Sequence, residues 1–387
     1  MLNTATIEHR APAPSPIATH ETANAHAEPV RIALLGVGTV GTALLAKLDA
    51  LAGAPLTRRL RLVRVANSRH ETSSRQGLVA NDVALRLKYA TQASTLDQVA
   101  STLAGKGTRI VIDATASEVV ADHHARWLAQ GIHVVTACKL GQGTSLARWL
   151  AIRAACAQGG ARYGDSATVG AGLPLLRSLR ELQAGGDRIH SIAGVLSGSL
   201  AWLFNRYDGM RPFSALVRQA RDAGYTEPDP REDLSGEDVR RKLLILARAS
   251  GHPLEAGAVE VDSLVPPNLA ALARCDVDAA LPALDVPLRE RYARAYRSGG
   301  KLRFIARLEC GDDGAARARV GLESLPPDHP LAGGAGTDNR VAIWSDRYRE
   351  QPLVVQGPGA GAQVTAAALL DDVLRLANAS DGACWPG

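Results

Sequence analysis

The sequence predicts an α/β fold, a Rossmann-type doubly wound parallel sheet followed by an α+β domain, on three observations. Short apolar runs, "VRIALL" (30–35), "RLVRVAN" (61–67), "TRIVIDA" (108–114) and "HVVTA" (133–137), alternate with helical segments. Strands joined by helices imply right-handed crossovers and a parallel sheet covered on both faces. The first run ends in a glycine-rich turn that opens the amphipathic helix "TALLAKLDALA". After about residue 165 the rhythm changes to longer helical stretches at 173–184, 199–207, 213–223 and 235–250, with strands such as "RIHSIAGVL" (188–196).

Residues 1–28 are rich in Ala, Pro, Thr and His without apolar periodicity and read as a disordered extension. Residues 29–164 then form the Rossmann domain and residues 165–360 the second domain. The tail "PLVVQGPGAGAQVTAAALLDDVLRLA" again reads as strand, glycine turn and helix. Residues 361–387 are therefore expected to return to the first domain and complete it.

With 387 residues, 46% hydrophobic and 21% charged, the chain can bury a large core. No run approaches the roughly 18 apolar residues that cross a bilayer, and the N-terminus lacks a secretory pattern, so a cytoplasmic protein is expected. The five cysteines (138, 156, 275, 310, 384) form no CxxC pair and read as reduced thiols rather than a disulfide framework or zinc site. A net charge of +5 made of scattered arginines sets nucleic-acid binding aside. Of the 44 basic residues only six are Lys and the other 38 are Arg. A guanidinium holds its proton while an ammonium can release it, which draws notice to Lys139 and Lys242.

"ALLGVGTVGTALL" carries Gly36, Gly38 and Gly41 in the G-x-G-x-x-G spacing, after a strand and at the start of a helix. The first glycine permits the tight turn, the second lets a pyrophosphate approach the backbone, and the third lets helix and strand pack closely. Free N–H groups at the helix start would receive the phosphates. The second strand ends in "VANSRH" (65–70) with no acid to hold a ribose 2′-hydroxyl. Arg69 stands where a 2′-phosphate would lie, which favours NADP, with NAD the other possibility.

"EPDPREDLSGEDVRRK" (227–242) packs six carboxylates and four cations into sixteen residues. Ser235 reads as an N-cap with Asp238 completing a capping box, and this helix start accounts for Glu237, Arg240 and Arg241. It does not account for Lys242. At 100° per residue, Lys242 falls beside the apolar face of Val239, Leu243 and Leu246, with Asp238 one turn away. Burial lowers a lysine's pKa and a neighbouring acid raises it, a setting suited to a proton donor. The upstream "EPDPRED" has two prolines and reads as a stiff loop presenting Glu227 and Asp233. A solvated acidic loop is the plain alternative for those two.

With the glycine loop, "DATASE" (113–118), "TACKLG" (136–141), "ATVGAGLP" (167–174), "GVLSGSLAWLFN" (194–205), the charged block within "GYTEPDPREDLSGEDVRRKLLILAR" (224–248) and "GPGAGAQVTAA" (357–367) in order, the sequence resembles the homoserine dehydrogenases over residues 30–378. It is especially similar to the dehydrogenase portion of bifunctional aspartokinase–homoserine dehydrogenases, with no kinase in front and no room for a regulatory ACT domain after residue 378. The resemblance implies interconversion of L-aspartate 4-semialdehyde and L-homoserine with NAD(P), on the way to threonine, methionine and isoleucine. It further implies a homodimer built through the second domain, and no threonine inhibition through an ACT domain. By resemblance Lys242 is the proton donor, with Lys139 near cofactor and reaction centre. Glu227 and Asp238 are the substrate-binding acids, with Asp238 also catalytic beside the two lysines; Asp233 belongs to the substrate site and orients the lysine, and Gly198 and Ser199 offer N–H groups to the substrate carboxylate. Gly38, Thr39, Val40, Thr115, Lys139 and Gly361 match positions that touch the cofactor.

Two departures stand out. Cys138 replaces the usual Asn before the loop lysine. Some members bind sodium through backbone carbonyls matching Val169, Ala171 and Leu173 and through an acid just upstream. Here Ser166 holds the acid's place and Asp165 comes one residue early. Another Rossmann-fold semialdehyde or amino-acid dehydrogenase would share the glycine loop but not the charged block. A non-catalytic nucleotide sensor would have no use for Glu227, Asp238 and Lys242 together.

Overall fold

The computed structural model describes residues 28–311 and 314–379. The extension predicted for residues 1–28 falls almost wholly outside the described residues. The first sheet holds β1 (Val30–Leu35), β2 (Leu60–Ala66), β3 (Glu71–Ser73), β4 (Arg109–Asp113), β5 (His133–Thr136) and β6 (Tyr163–Gly164) in the order β3-β2-β1-β4-β5-β6. The pairs β1/β2, β1/β4, β4/β5 and β5/β6 are parallel, whereas β3 runs antiparallel to β2 and makes the sheet mixed. Three residues too short and too polar to give an apolar strand signal account for the missed edge. Helix α1 (Thr39–Ala50) follows β1 and buries Gly41, Ala43, Leu44 and Leu45. The strand order reverses between β1 and β4, the crevice where open α/β sheets bind ligands.

The second sheet contains β7 (Ile189–Val195), β8 (Val259–Val261), β9 (Lys301–Cys310), β10 (Ala316–Leu325), β11 (Asp338–Ser345) and β12 (Leu353–Pro358) in the order β12-β11-β7-β9-β10-β8. All neighbours are antiparallel except β8, which pairs parallel with β10. Helices α2 (Gly198–Arg206) and α3 (Glu237–Ala249) pack on it through Leu200, Leu203, Val239, Leu243 and Leu246, inside the largest core of the molecule. Helix α4 (Ala362–Ala379) leaves this sheet and joins the first core through Ala366, Leu369, Leu370, Val373 and Leu376. No helix among the described residues is long and apolar enough to cross a membrane.

The charged block folds differently from its reading in one respect. Residues Arg231–Leu234 form a helical turn, not a loop. Proline is tolerated at a helix start because the missing N–H has no partner there, so Pro230 begins the turn rather than forbidding it. Ser235 closes that turn, and the N-cap of α3 is Gly236, left-handed at φ 78°. Ser235 Oγ still accepts from Glu237 N–H at 3.2 Å.

Candidate active site

A cleft of about 1260 Å³ runs between the two sheets and is lined by Thr39, Val40, Thr115, Lys139, Gly198, Ser199, Glu227, Asp233, Asp238, Lys242 and Gly361. At its centre is α3. Lys242 is 8% exposed. Its Nζ donates to Leu196 O at 2.8 Å and pairs with Asp238 Oδ2 at 2.8 Å. The other oxygen, Oδ1, meets Lys139 Nζ at 3.3 Å, reached from the loop after β5. Two lysines, one from the loop after β5 of the first sheet and one from the helix packed on the second, thus share one carboxylate.

Burial pushes the Lys242 ammonium below the ordinary lysine value, and Lys139 adds to this, while Asp238 pulls it back up. Burial works to raise the Asp238 carboxyl, but Lys242 and then Lys139 outweigh it and hold it well below the usual carboxylate range. An ammonium has three N–H donors. Two of those on Lys242 are committed, to Leu196 and Asp238, which leaves one for the cleft.

The surrounding polar groups are set by turns and caps. Ser197 caps α2 by accepting from Leu200 N–H at 3.2 Å, which sets Gly198 and Ser199 at the cleft wall. Asp233 accepts from Ser199 Oγ at 2.6 Å and from Glu227 N–H at 2.8 Å. Asp233, expected to orient the lysine, ties the Ser199 and Glu227 turns together, and its charge raises the Lys242 pKa. The helical turn at 231–234 aims it at α2 instead.

At the crevice, Gly36 has φ +93° and packs so close to Ala114 that an added Cβ would lie 2.8 Å from its carbonyl oxygen. Gly41 is tighter, with a Cβ falling 2.0 Å from Gly36 O. Nothing lies within 4 Å of where a Gly38 Cβ would be, and no side chain caps the N-terminus of α1. An open backbone approach beside uncapped helix N–H groups fits a pyrophosphate. Thr115 is held by its own aspartate turn, with N–H and Oγ donating to Asp113 Oδ1 at 2.9 and 2.6 Å. Arg69 is exposed beyond the end of β2, where Asn67 Oδ1 accepts from the Arg69 and His70 N–H groups at 2.8 and 2.7 Å. It does not line the central cleft.

Cys138 is buried behind Lys139, and burial followed by the Asp113 charge pushes its thiol up to about 12, so it stays protonated. In the turn around Val169, Ala171 and Leu173, Ala171 has φ 51°, the single non-glycine positive φ among the described residues. Leu173 O accepts from Leu175 N–H at 2.8 Å. Both oxygens of Asp165 are taken by Arg180 at 2.8 and 2.5 Å, and Ser166 Oγ donates to Asp372 at 2.8 Å. The nearby carboxylate is thus already paired with a guanidinium rather than free to complete a cation site.

Sequence reasoning missed Tyr225, which lines the cleft and stacks on Trp202 with ring centroids 5.1 Å apart. It also missed Asp113, fully buried, which besides Thr115 contacts His124 Nε2 at 3.0 Å and Thr136 Oγ at 3.3 Å. An acid ending an otherwise apolar strand was the available signal for Asp113. Tyr225 carried none.

Two family models match the chain: "Homoserine dehydrogenase, NAD binding domain" over residues 36–164 and "Homoserine dehydrogenase" over residues 174–374. The homoserine dehydrogenase of Emericella nidulans is 35% identical over 369 residues, covering 90% of this chain and 98% of that protein. A bifunctional aspartokinase/homoserine dehydrogenase 1 of Zea mays is 38% identical over 354 residues, 90% of this chain and 38% of the relative's length. The chain thus spans well under half of that curated relative. A crystal structure of a Candida auris protein of unknown function superposes with TM-score 0.84 at 34% identity, covering 91% of this chain and 99% of the other. Matched along both sheets and across the cleft that joins them, the chain belongs to the homoserine dehydrogenase family.

Proposed function

We propose that the protein interconverts L-aspartate 4-semialdehyde and L-homoserine with a nicotinamide cofactor, NADP in preference to NAD, for threonine, methionine and isoleucine synthesis. The observation that carries this is the Lys242 ammonium, held by Leu196 O and Asp238 at 2.8 Å each with one N–H left for the cleft.

The bound nicotinamide supplies or accepts the hydride. Its phosphates would lie on the turn of Gly36, Gly38, Thr39, Val40 and Gly41, with Thr115 and Gly361 on the far side and Arg69 toward the ribose. Lys242 gives its free proton to the substrate carbonyl oxygen as negative charge grows there, and takes it back in the reverse direction. Asp238 keeps that ammonium protonated. Glu227 and the exposed edge of Asp238 receive the substrate ammonium, Gly198 and Ser199 its carboxylate, and Asp233 braces both sides. Lys139 adds a second positive charge beside the reacting oxygen. A positioned acid contributes about 10²- to 10⁴-fold to such a step.

The test is NADPH oxidation with aspartate semialdehyde, run beside NADH. Lys242→Ala and Lys242→Arg should each lower kcat by about 10²-fold or more, since an arginine does not release its proton. Full activity in Lys242→Arg would overturn the proton-donor role. The family resemblance also supports a cytoplasmic homodimer, which light scattering would show as twice the chain mass. The engagement of Asp165 by Arg180 supports catalysis without sodium.

A further inference from the structure

Lys139 lies in a loop leaving the first sheet and its partner Asp238 in a helix packed on the second, so something must hold the two bodies in register for the pair to form. The loop after Lys139 lies directly on α3. Gly143 packs so tightly there that an added Cβ would sit 2.8 Å from Lys139 O and 3.0 Å from Arg241 O. Two turns further along α3, Arg248 is 3% exposed. Its guanidinium donates to Gln142 O at 2.5 Å and Thr144 O at 2.8 Å, the residues on either side of Gly143. It also donates to Leu254 O at 3.2 and 2.8 Å through Nε and Nη2.

All four bonds go to backbone carbonyls, and two of them cross from the helix of Asp238 and Lys242 to the loop of Lys139. A buried arginine spent on main-chain oxygens fixes where a backbone runs, which a lysine's single ammonium does not reproduce. We propose that Arg248 is a positioning residue: it clamps the Lys139 loop onto α3 so that Lys139 and Lys242 reach the same Asp238 carboxylate. Gly143 is the companion requirement, because only a residue without a side chain lets the clamped loop lie flat on the helix. This inference rests on Lys139 acting in the reaction.

The test is a double-mutant cycle on the full-length enzyme, with Lys139→Met, Arg248→Lys and the combination, read as kcat for semialdehyde reduction. Misplacement of a reacting group by about 1 Å can cost up to 10²-fold, so Arg248→Lys is expected to lower kcat about tenfold. In the Lys139→Met background the same change should cost less than about twofold, because the group being positioned is gone. An equal loss in both backgrounds overturns the clamp, leaving Arg248 a structural residue. If Lys139→Met by itself leaves kcat untouched, the Lys139 role fails first and the clamp with it, an outcome visible in the single variant. A readout without substrate or cofactor accompanies the cycle. Amide hydrogen exchange across residues 139–145 should quicken in Arg248→Lys while exchange in α2 does not change, and unaltered exchange in the loop overturns the proposal. Should Arg248→Lys fail to fold, Gly143→Ala lifts the same loop and enters the same cycle.

Discussion

Asp238 stands one helical turn before Lys242, with its Oδ2 2.8 Å from the lysine Nζ, and the pair sets the direction in which pH acts on the enzyme. Burial lowers the lysine pKa and Asp238 raises it. Carbonyl reduction needs the protonated lysine, so its rate holds below the Lys242 pKa and falls as pH rises through it. Alcohol oxidation needs the neutral lysine and follows the opposite course. Asp238→Asn removes the main group that raises the pKa, so the alkaline limb of the reduction profile moves to lower pH. A kcat–pH profile in both directions checks this, and a limb that stays in place would show that Lys242 is not the titrating acid.

The three glycines of the first turn separate by experiment. Gly41→Ala drives a Cβ to 2.0 Å from the Gly36 carbonyl, overpacking expected to cost about 1–3 kcal/mol or more. Gly38→Ala meets no atom within 4 Å and is expected to cost no more than about 1 kcal/mol as an N-cap change. Yet Gly38→Ala should raise the cofactor KM about tenfold or more, since the methyl enters the space where a pyrophosphate nears the backbone. Thermal unfolding and cofactor titration of the two variants separate the effects.

Arg69 lies exposed just past the end of β2. Hydrogen bonds to charged groups contribute about 1.5–3 kcal/mol, so Arg69→Ala should raise the KM for NADPH about tenfold and leave that for NADH unchanged. An NADPH-to-NADH ratio equal to that of the parent enzyme would remove the 2′-phosphate assignment.

Arg180 occupies both oxygens of Asp165. Replacing sodium by choline at constant ionic strength should leave kcat and KM unchanged. A saturable rise in rate with sodium alone would show that the Val169–Leu173 turn recruits an ion despite its neutralised acid.

The parts of this molecule legible in the sequence were those written in local pattern. The parallel strands show as short apolar runs, the glycine turn as a fixed spacing between strand and helix, and the place of Lys242 beside Asp238 as one helical turn along an apolar face. Contacts between segments far apart in sequence leave no such mark. Asp233 lies 34 residues from Ser199 and Arg248 lies 106 from Gln142, so neither partner was readable, although each residue stood within a run already noticed. The turn at Arg231–Leu234 is hidden for another reason: a proline in sequence reads as a breaker, and Pro230 is an initiator. The edge strand β3 was too short to have a pattern.

Helix α4 comes from the last described residues of the chain and fills the core beneath α1. During synthesis, the crevice-bearing sheet is therefore left with an open apolar flank until residues 362–379 have emerged, by which point the chain for the second sheet is already out. The order of completion thus departs from the order of the sequence: the body begun first is the one sealed last.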